Sequence, residues 1–217
     1  MVRNCIIKAA AAISIALCSV VGATAQTWGV RTSMDVTFPS GGTKLYDTGA
    51  GLSIGGVASF DLPRNFYVEP SLYFSYTGFS SKGLAEFDDQ SYLDGTARLY
   101  SLRVPVYVGW HHDISPLMQL GIATGPYVNV NLSARQGLQA NFDAAVPLPD
   151  KTVDLFKHGW KRVDAGWGIS LSMTFAQAYY VGLSTGVSFT PLASYGNRDK
   201  KVRIHRHVLA VSLGYNF

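Results

Sequence analysis

Apolar residues alternate with small or polar residues along most of this chain. In the last segment every second residue is apolar: Leu209, Val211, Leu213, Tyr215 and Phe217. A period of two is that of a β-strand, and no segment shows a convincing helical period. The alternation predicts an all-β chain with eight strands, at 28–38, 50–62, 66–78, 97–111, 117–133, 162–176, 179–190 and 203–217.

The face of each strand between the apolar positions carries mostly Gly, Ser, Thr, Asn and Tyr, with isolated charges. A face in contact with water would be expected to carry more Lys and Glu. Charged residues make up only 15% of the chain, whereas soluble domains average about 25%. We therefore expect the apolar face to contact lipid and the other face to fill a narrow lumen, as in an eight-stranded antiparallel transmembrane β-barrel.

Bulky aromatic residues recur ten positions apart on the apolar faces. The four pairs are Trp28 and Phe38, Phe66 and Tyr76, Tyr100 and Trp110, and Tyr179 and Phe189. Ten residues of a tilted strand rise roughly 25 Å, the height of a lipid-facing band between two aromatic girdles. The alternative is the ordinary enrichment of aromatics in strands, but a spacing shared by four pairs favours girdles.

Short and long connections alternate along the chain. The predicted strands leave short links at 62–65, 112–116 and 176–178, and longer links at 39–49, 79–96, 134–161 and 191–202. This is the pattern of periplasmic turns and extracellular loops in outer-membrane barrels. An even number of strands then places both termini in the periplasm.

Residues 1–25 have the pattern of a secretory signal peptide. Arg3 and Lys8 form a positively charged start, residues 9–21 form an apolar core, and Ala23-Thr24-Ala25 supplies a cleavage site before Gln26. Both cysteines, Cys5 and Cys18, lie in this segment, so the barrel domain expected at 26–217 has no disulfide and no thiol ligand. Loss of the segment also lowers the formal net charge from +4 to +2, too little to suggest nucleic acid as a partner.

Three segments carry a resemblance to a known family. The chain ends in Leu213-Gly214-Tyr215-Asn216-Phe217, which resembles the terminal strand by which outer-membrane barrels are recognised for assembly. Phe66-Tyr67-Val68-Glu69-Pro70-Ser71-Leu72 and Leu102-Arg103-Val104-Pro105-Val106-Tyr107 resemble strands three and four of the outer-membrane β-barrel (porin-like, PorT-type) family of Bacteroidota. The resemblance implies insertion by the barrel-assembly machinery, with Leu213, Tyr215 and Phe217 as the assembly signal. It carries over no catalytic residue.

Isolated charges fall on the predicted lumen face. Glu69 and Arg103 lie there on neighbouring strands and should form a pair, because an unpaired buried charge is costly. Eight strands leave an interior just wide enough for side chains. We therefore expect a structural network of Glu69 and Arg103 with Arg31, Asp35 and Asp164, rather than an ion-selectivity filter.

The longer links have two notable compositions. A basic cluster, Arg198, Lys200, Lys201, Arg203 and Arg206, lies where lipopolysaccharide phosphates would be. Arg and Lys suit phosphates, but solvated loop charge explains the cluster equally well. Link 134–161 is too apolar to be merely solvated, so it either folds over the barrel mouth or presents a surface to a partner.

Catalytic and cofactor motifs are absent from the sequence: there is no phosphate-binding loop, dinucleotide fingerprint or nucleophile elbow. The histidines His111, His112, His205 and His207 do not form the converging set that a metal needs. A lipid-modifying enzyme could use His207 with Ser188, Ser194 and Asp199, but ordinary interfacial and loop residues explain these positions better.

Together these observations predict a non-enzymatic integral protein of a Gram-negative outer membrane, without a cofactor. Its lumen should be filled by side chains, and its loops should give it a structural or partner-docking role in the envelope. The expected partners are outer-membrane lipid, lipopolysaccharide, the assembly machinery and an envelope protein. A small-solute porin is the alternative, and a lipid-modifying enzyme the remote one.

Overall fold

The computed structural model describes residues 26–41, 47–81, 86–88, 91–141, 151–195 and 202–217. The expected signal peptide, 1–25, lies outside the described residues. Eight long strands are present, namely β1 (Gln26–Ser40), β2 (Gly49–Leu62), β3 (Phe66–Ser81), β5 (Ser91–Ser115), β6 (Met118–Asn141), β8 (Val163–Phe175), β9 (Tyr179–Ser188) and β11 (Val202–Asn216). Three short strands lie in the longer links, namely β4 (Glu86–Asp88), β7 (Lys151–Asp154) and β10 (Ala193–Tyr195).

The long strands close into a ring. Each pairs antiparallel with the next long strand, and β1 pairs with both β2 and β11. Closure leaves no long strand with an unpaired edge, so every backbone polar group of the wall can be satisfied within it. The prediction of an eight-stranded antiparallel barrel is confirmed. No helix in the described part of the chain is long and apolar enough to cross a membrane.

Two strands are longer than predicted by six residues or more. β5 starts at Ser91 instead of 97, and β6 continues to Asn141 instead of 133. Their ladder runs out to the pair Tyr92↔Asn141, with β4 and β7 added at its edges. Much of what the sequence marks as links 79–96 and 134–161 is therefore an extension of the wall.

A bulge in β6 explains why alternation ends early there. Tyr100 faces Ser133 but Ser101 faces Asn131, so Leu132 is an extra residue in the ladder. A one-residue shift moves every later side chain to the opposite face. Ala134 and Gln136 are consequently buried, and Arg135 between them is exposed.

The two faces of the wall differ as the alternation predicts. On β1 the polar residues Arg31, Ser33 and Asp35 point inward and are buried, while Met34 between them is 72% exposed on the outside. The same holds around the ring, since the large exposed side chains are mostly aliphatic or aromatic. The buried interior of this protein therefore contains many polar side chains, and much of its apolar surface is outside.

The two ends of the barrel differ in their connections. The turn end carries the three short links, the start of β1 and the end of β11. The loop end carries the longer links. Seven of the eight aromatics spaced by ten are exposed, and Tyr76 is partly exposed. Tyr76 packs on Tyr100 near the loop end at 5.1 Å between ring centroids, and Tyr179 packs on Tyr215 near the turn end at 5.6 Å.

The link between β8 and β9 is a tight hairpin turn. Ala176 and Gln177 both have positive φ, 48° and 58°, and the Ala178 N–H donates to the Phe175 carbonyl at 3.0 Å. Two successive left-handed residues match the twist of the flanking strands. Neither residue is a glycine, so the turn carries some backbone strain.

Candidate functional site

The barrel interior is the candidate site, and it changes character along the axis. A vestibule of about 850 Å³ opens at the turn end. Its lining is largely polar and includes Ser59, Asp61, His111, Asp113 and Ser172. These side chains sit at inward or turn positions where the strands leave room that no bulky residue fills.

Arg31 and Glu69 lie at the inner end of the vestibule. Arg31 Nη1 donates to Glu69 Oε1 at 2.6 Å, and Nη2 donates to Oε2 at 2.8 Å. The guanidinium also lies over the Tyr180 ring, 3.6 Å from its centroid. This two-pronged contact pairs both terminal nitrogens of the guanidinium with both carboxylate oxygens, and it joins β1 to β3 inside the lumen.

The predicted pairing of Glu69 with Arg103 is wrong. In the β3–β5 ladder Glu69 faces Tyr107, and Arg103 faces Tyr73. The two charges are thus offset by four residues, roughly 13 Å along the strands. Arg31 reaches Glu69 from β1 instead, a cross-lumen contact that strand alternation cannot reveal.

Arg103 belongs to a second group of polar side chains farther from the vestibule. Its Nε donates to Asn129 Oδ1 at 3.0 Å, and Asn129 Nδ2 donates to Asp164 Oδ1 at 2.8 Å. Arg206 Nη2 donates to both oxygens of Asp164, at 2.9 and 3.0 Å. Asp164 has no exposed surface, and Asn131 Nδ2 donates to its second oxygen at 3.3 Å.

Asp35 forms a third, separate group. It accepts hydrogen bonds from the hydroxyls of Ser33, at 2.8 Å, and Ser53. The five predicted lumen charges thus all lie on the inner face, but the structure distributes them over three groups. A structural role for them stays a prediction.

Arg206 was predicted to contact lipopolysaccharide, and this is wrong. Its side chain is only 2% exposed and ion-pairs with Asp164 inside the barrel. Arg206 shares the inward face of β11 with Val208 and Ala210, so its position in the alternation could have placed it in the lumen. Arg203 is exposed near the loop end, while Arg198, Lys200 and Lys201 lie outside the described residues.

An apolar cluster fills the lumen near the loop end. Its members are buried side chains of the wall and of two longer links: Phe79, Ala97, Leu99, Ala134, Leu155, Trp160, Leu192, Ala193 and Ile204. We call this the mouth cluster. The Phe79 and Trp160 rings meet edge to face at 6.0 Å.

Backbone hydrogen bonds hold the two links over the barrel mouth. The Lys161 N–H donates to the Leu192 carbonyl at 2.8 Å, and the Leu192 N–H donates to the Ile204 carbonyl at 2.7 Å. Of the alternatives for link 134–161, the described portion folds over the mouth through Leu155 and Trp160. Residues 142–150 of that link lie outside the described residues.

The residues considered for lipid-modifying chemistry do not converge. Ser188 is buried in the lumen, where its hydroxyl accepts a hydrogen bond from the Arg206 N–H at 2.8 Å. His207 lies on the opposite, outward face of β11, and Asp199 lies outside the described residues. Ser194 faces Arg203 in the β10–β11 ladder. No group of three or more candidate metal ligands occurs within the described ranges.

The closed ring, its outward apolar face and its polar lumen agree with a comparison of sequences. Residues 24–195 match the family of the outer membrane protein beta-barrel domain. The chain belongs to this family. Its strands therefore span the outer membrane, and the apolar face contacts lipid between the two aromatic girdles. The finer resemblance to PorT-type barrels of Bacteroidota stays a prediction.

Solved structures of outer-membrane barrels resemble the chain at low sequence identity. OprG of Pseudomonas aeruginosa is 13% identical with a TM-score of 0.48, covering 90% of this chain and 97% of that one. Neisserial surface protein A is 11% identical with a TM-score of 0.44, covering 89% of this chain and 100% of that one. Ail of Yersinia pestis is 12% identical with a TM-score of 0.42, again covering 89% of this chain and 100% of that one. Among curated protein sequences no match is found.

The predicted assembly residues lie on the outer surface at the turn end. Leu213, Tyr215 and Phe217 are all exposed. The Phe217 N–H donates to the Trp28 carbonyl at 2.7 Å, at the seam where β11 meets β1. The predicted signal therefore lies beside the β1–β11 pair that closes the ring, and its recognition by the assembly machinery stays a prediction.

Proposed function

We propose that this outer-membrane barrel is a closed, non-enzymatic module that serves the envelope through its body and its loop end rather than by transport. The observation that supports this most is the sealed outer half of the lumen. The vestibule of about 850 Å³ ends at Arg31 and Glu69, and farther along the lumen the described residues enclose cavities of only about 50 and 10 Å³. The smaller of the two is about the least space that a single water molecule needs.

Two successive barriers would oppose passage of a solute. The first is the bidentate pair of Arg31 and Glu69 at the inner end of the vestibule, which a passing ion would have to separate. The second is the mouth cluster, which offers no polar partner to a dehydrated solute. A channel needs sites that bind and release its ion easily, and neither barrier is of that kind.

The proposed orientation places the turn end in the periplasm and the loop end outside the cell. Support comes from the strict alternation of short and long connections, which in outer-membrane barrels separates periplasmic turns from extracellular loops. The ordered links at the loop end would then be available for docking an envelope partner, and lipopolysaccharide would surround that end. Assembly would proceed through the insertion machinery that reads Leu213, Tyr215 and Phe217.

A planar-bilayer recording tests the proposal. The full mature chain, folded in detergent and inserted into a lipid bilayer, should give no steady open level. A steady conductance on the scale of nanosiemens would contradict the closed barrel and favour the small-solute porin, for which the vestibule is the supporting observation. An assay for acyl transfer or release with purified protein and outer-membrane lipids addresses the enzymatic alternative, and we expect no turnover.

A further inference from the structure

Two arginines face each other on the outer surface at the loop end. Arg98 on β5 and Arg135 on β6 are direct partners in the ladder, and both side chains are exposed. No carboxylate whose side chain the structure describes lies within 4 Å of either guanidinium as an ion-pair partner. Like charges placed directly opposite each other destabilise a sheet, so this pair calls for an anion between them.

The pair lies just beyond the aromatic girdle. Arg98 precedes Tyr100 by two residues on the same outward face of β5. It therefore lies roughly 5 Å nearer the loop end along the barrel axis. Interfacial aromatics mark the level of the lipid headgroups. The guanidinium groups are therefore at the height of headgroup phosphates and above the hydrocarbon core.

The surface around the pair is open. Gly78 is the partner of Arg98 in β3, and Gly137 follows Arg135 by two residues on the same face of β6. A side-chain carbon added at Gly137 would meet nothing within 4 Å. One added at Gly78 would meet the Tyr76 hydroxyl at 3.5 Å and the Ala50 carbonyl oxygen at 3.9 Å, which are ordinary van der Waals contacts. The two glycines leave a shelf beside the arginines, bordered by the Tyr76 hydroxyl.

The other charged side chains that the structure describes near the pair are Asp154 and Arg162. Asp154 is the partner of Arg135 in β7, but its Oδ1 accepts the Phe156 N–H at 3.0 Å and it forms no ion pair within 4 Å. Arg162 is exposed and lies over the Phe156 ring at 4.5 Å. Among the described charges of this corner, arginines outnumber carboxylates.

We propose that Arg98 and Arg135 together bind a phosphate group of lipid A, the phosphorylated glycolipid of the outer leaflet. Arginine forks suit phosphate oxygens, and one phosphate between the two guanidinium groups would remove their repulsion. The shelf over Gly78 gives room for the sugar that carries the phosphate. The choice of lipid A over a phospholipid rests on the proposed function, because it requires the loop end to face outside.

Binding to the folded full mature chain tests this assignment. Protein refolded without lipid in detergent is incubated with bisphosphorylated lipid A, with the same lipid lacking both phosphates, or with phosphatidylglycerol, and the retained lipid is counted by native mass spectrometry. The variant is Arg98→Glu with Arg135→Glu. The matched control is Arg64→Glu, an exposed arginine in the turn at the opposite end. Heat-modifiable gel mobility checks that every variant folds.

The expected result is that wild type and Arg64→Glu retain bisphosphorylated lipid A, and that the double variant loses at least about tenfold in affinity. A second variant, Arg98→Lys with Arg135→Lys, keeps the charge but loses the fork and should lose less. Undiminished binding by the double glutamate variant would overturn the proposal. So would equal retention of lipid A without phosphates, or stronger retention of phosphatidylglycerol.

The closed-barrel proposal fails separately from this one. A conducting wild-type barrel whose lipid A binding still depends on Arg98 and Arg135 would overturn the closed lumen and support the lipid site. A non-conducting wild-type barrel whose lipid A binding does not depend on Arg98 and Arg135 would support the closed lumen and overturn the lipid site.

Discussion

The two halves of the lumen are enclosed by one continuous wall but are filled differently. The turn-end half is a polar vestibule open to water, whereas the loop-end half is filled by the Asp164 group and the mouth cluster. Each half contains one buried arginine–carboxylate pair. Arg31 and Glu69 lie beside the vestibule, and Arg206 and Asp164 lie under the mouth cluster. The same chemical pair therefore sits at a wet boundary in one half and in a dry interior in the other.

The difference shows that strand alternation determines which side chains face the lumen, but not whether those side chains contact water. Closure of the ring needs only inward side chains of modest size. Whether they meet water depends on the turns and links that cover each end. The predictions below test whether the loop-end half is the dry one.

The largest effect is expected from Asp164→Ala. Removing this carboxylate leaves Arg206 buried without its ionic partner, and breaking a buried pair costs about 3–5 kcal/mol. The free energy of unfolding from urea titration of the barrel in detergent or lipid should fall by that amount. The control Asp61→Ala, at an exposed position that lines the vestibule, should change it by less than about 0.5 kcal/mol. Equal losses at both positions would mean that the two halves are equally hydrated.

Truncation of the mouth cluster should come next. Trp160→Ala removes a large buried side chain that packs on Phe79, at a cost of about 3 kcal/mol. Phe156, which is only partly buried against the same cluster, is the matched control, and Phe156→Ala should cost less than half as much. The Trp160 variant should still give no steady conductance, since Arg31 and Glu69 remain. A loss no larger than that of Phe156→Ala would show that the link does not pack into the barrel.

A smaller loss is expected from Glu69→Leu, about 2 kcal/mol, because water in the vestibule can solvate the Arg31 that it leaves unpaired. Adding Arg31→Met should restore most of this stability, since no charge is then left alone. The full double-mutant cycle by urea unfolding measures the coupling. A loss as large as that of Asp164→Ala would remove the distinction between a wet and a dry pair.

The smallest effect should be a gain at the turn end. Gln177 adopts a φ of 58° in the β8–β9 turn, a region in which glycine carries no steric penalty. Gln177→Gly should therefore raise the free energy of unfolding by about 0.5–1 kcal/mol. Gln177 lines the vestibule but belongs to neither buried ion pair, so the two pairs should show the same coupling as before. A destabilised variant would mean that the turn is not left-handed there.

Much of the wall could be predicted from the sequence, because a residue's position in a period of two determines its face. Arg31, Asp35, Glu69, Arg103 and Asp164 all lie inside, as their positions indicate. The partner of each charge could not be predicted in this way. Glu69 meets Arg31 across the lumen, and that contact depends on the tilt and register of the closed ring.

Three other features were not predicted from the sequence, each for a local reason. The bulge at Leu132 reverses the alternation of β6 and sends Arg135 outward, so the basic pair with Arg98 is invisible to a simple period. Arg206 is a different case, because its place on the inward face of β11 was readable, but a run of basic residues suggested a surface loop. The vestibule depends on which inward side chains are small at one end, and no motif marks it.

Thiol labelling of two single-cysteine variants tests the central claim most directly, because residues 26–217 contain no cysteine. Ser172→Cys places a thiol in the vestibule, and Ser101→Cys places one in the buried outer half of the lumen. In folded barrels a small water-soluble maleimide should modify Cys at 172 and leave Cys at 101 unmodified until the barrel is unfolded. Equal modification of both thiols in the folded barrel would contradict a lumen that is open at one end and sealed at the other.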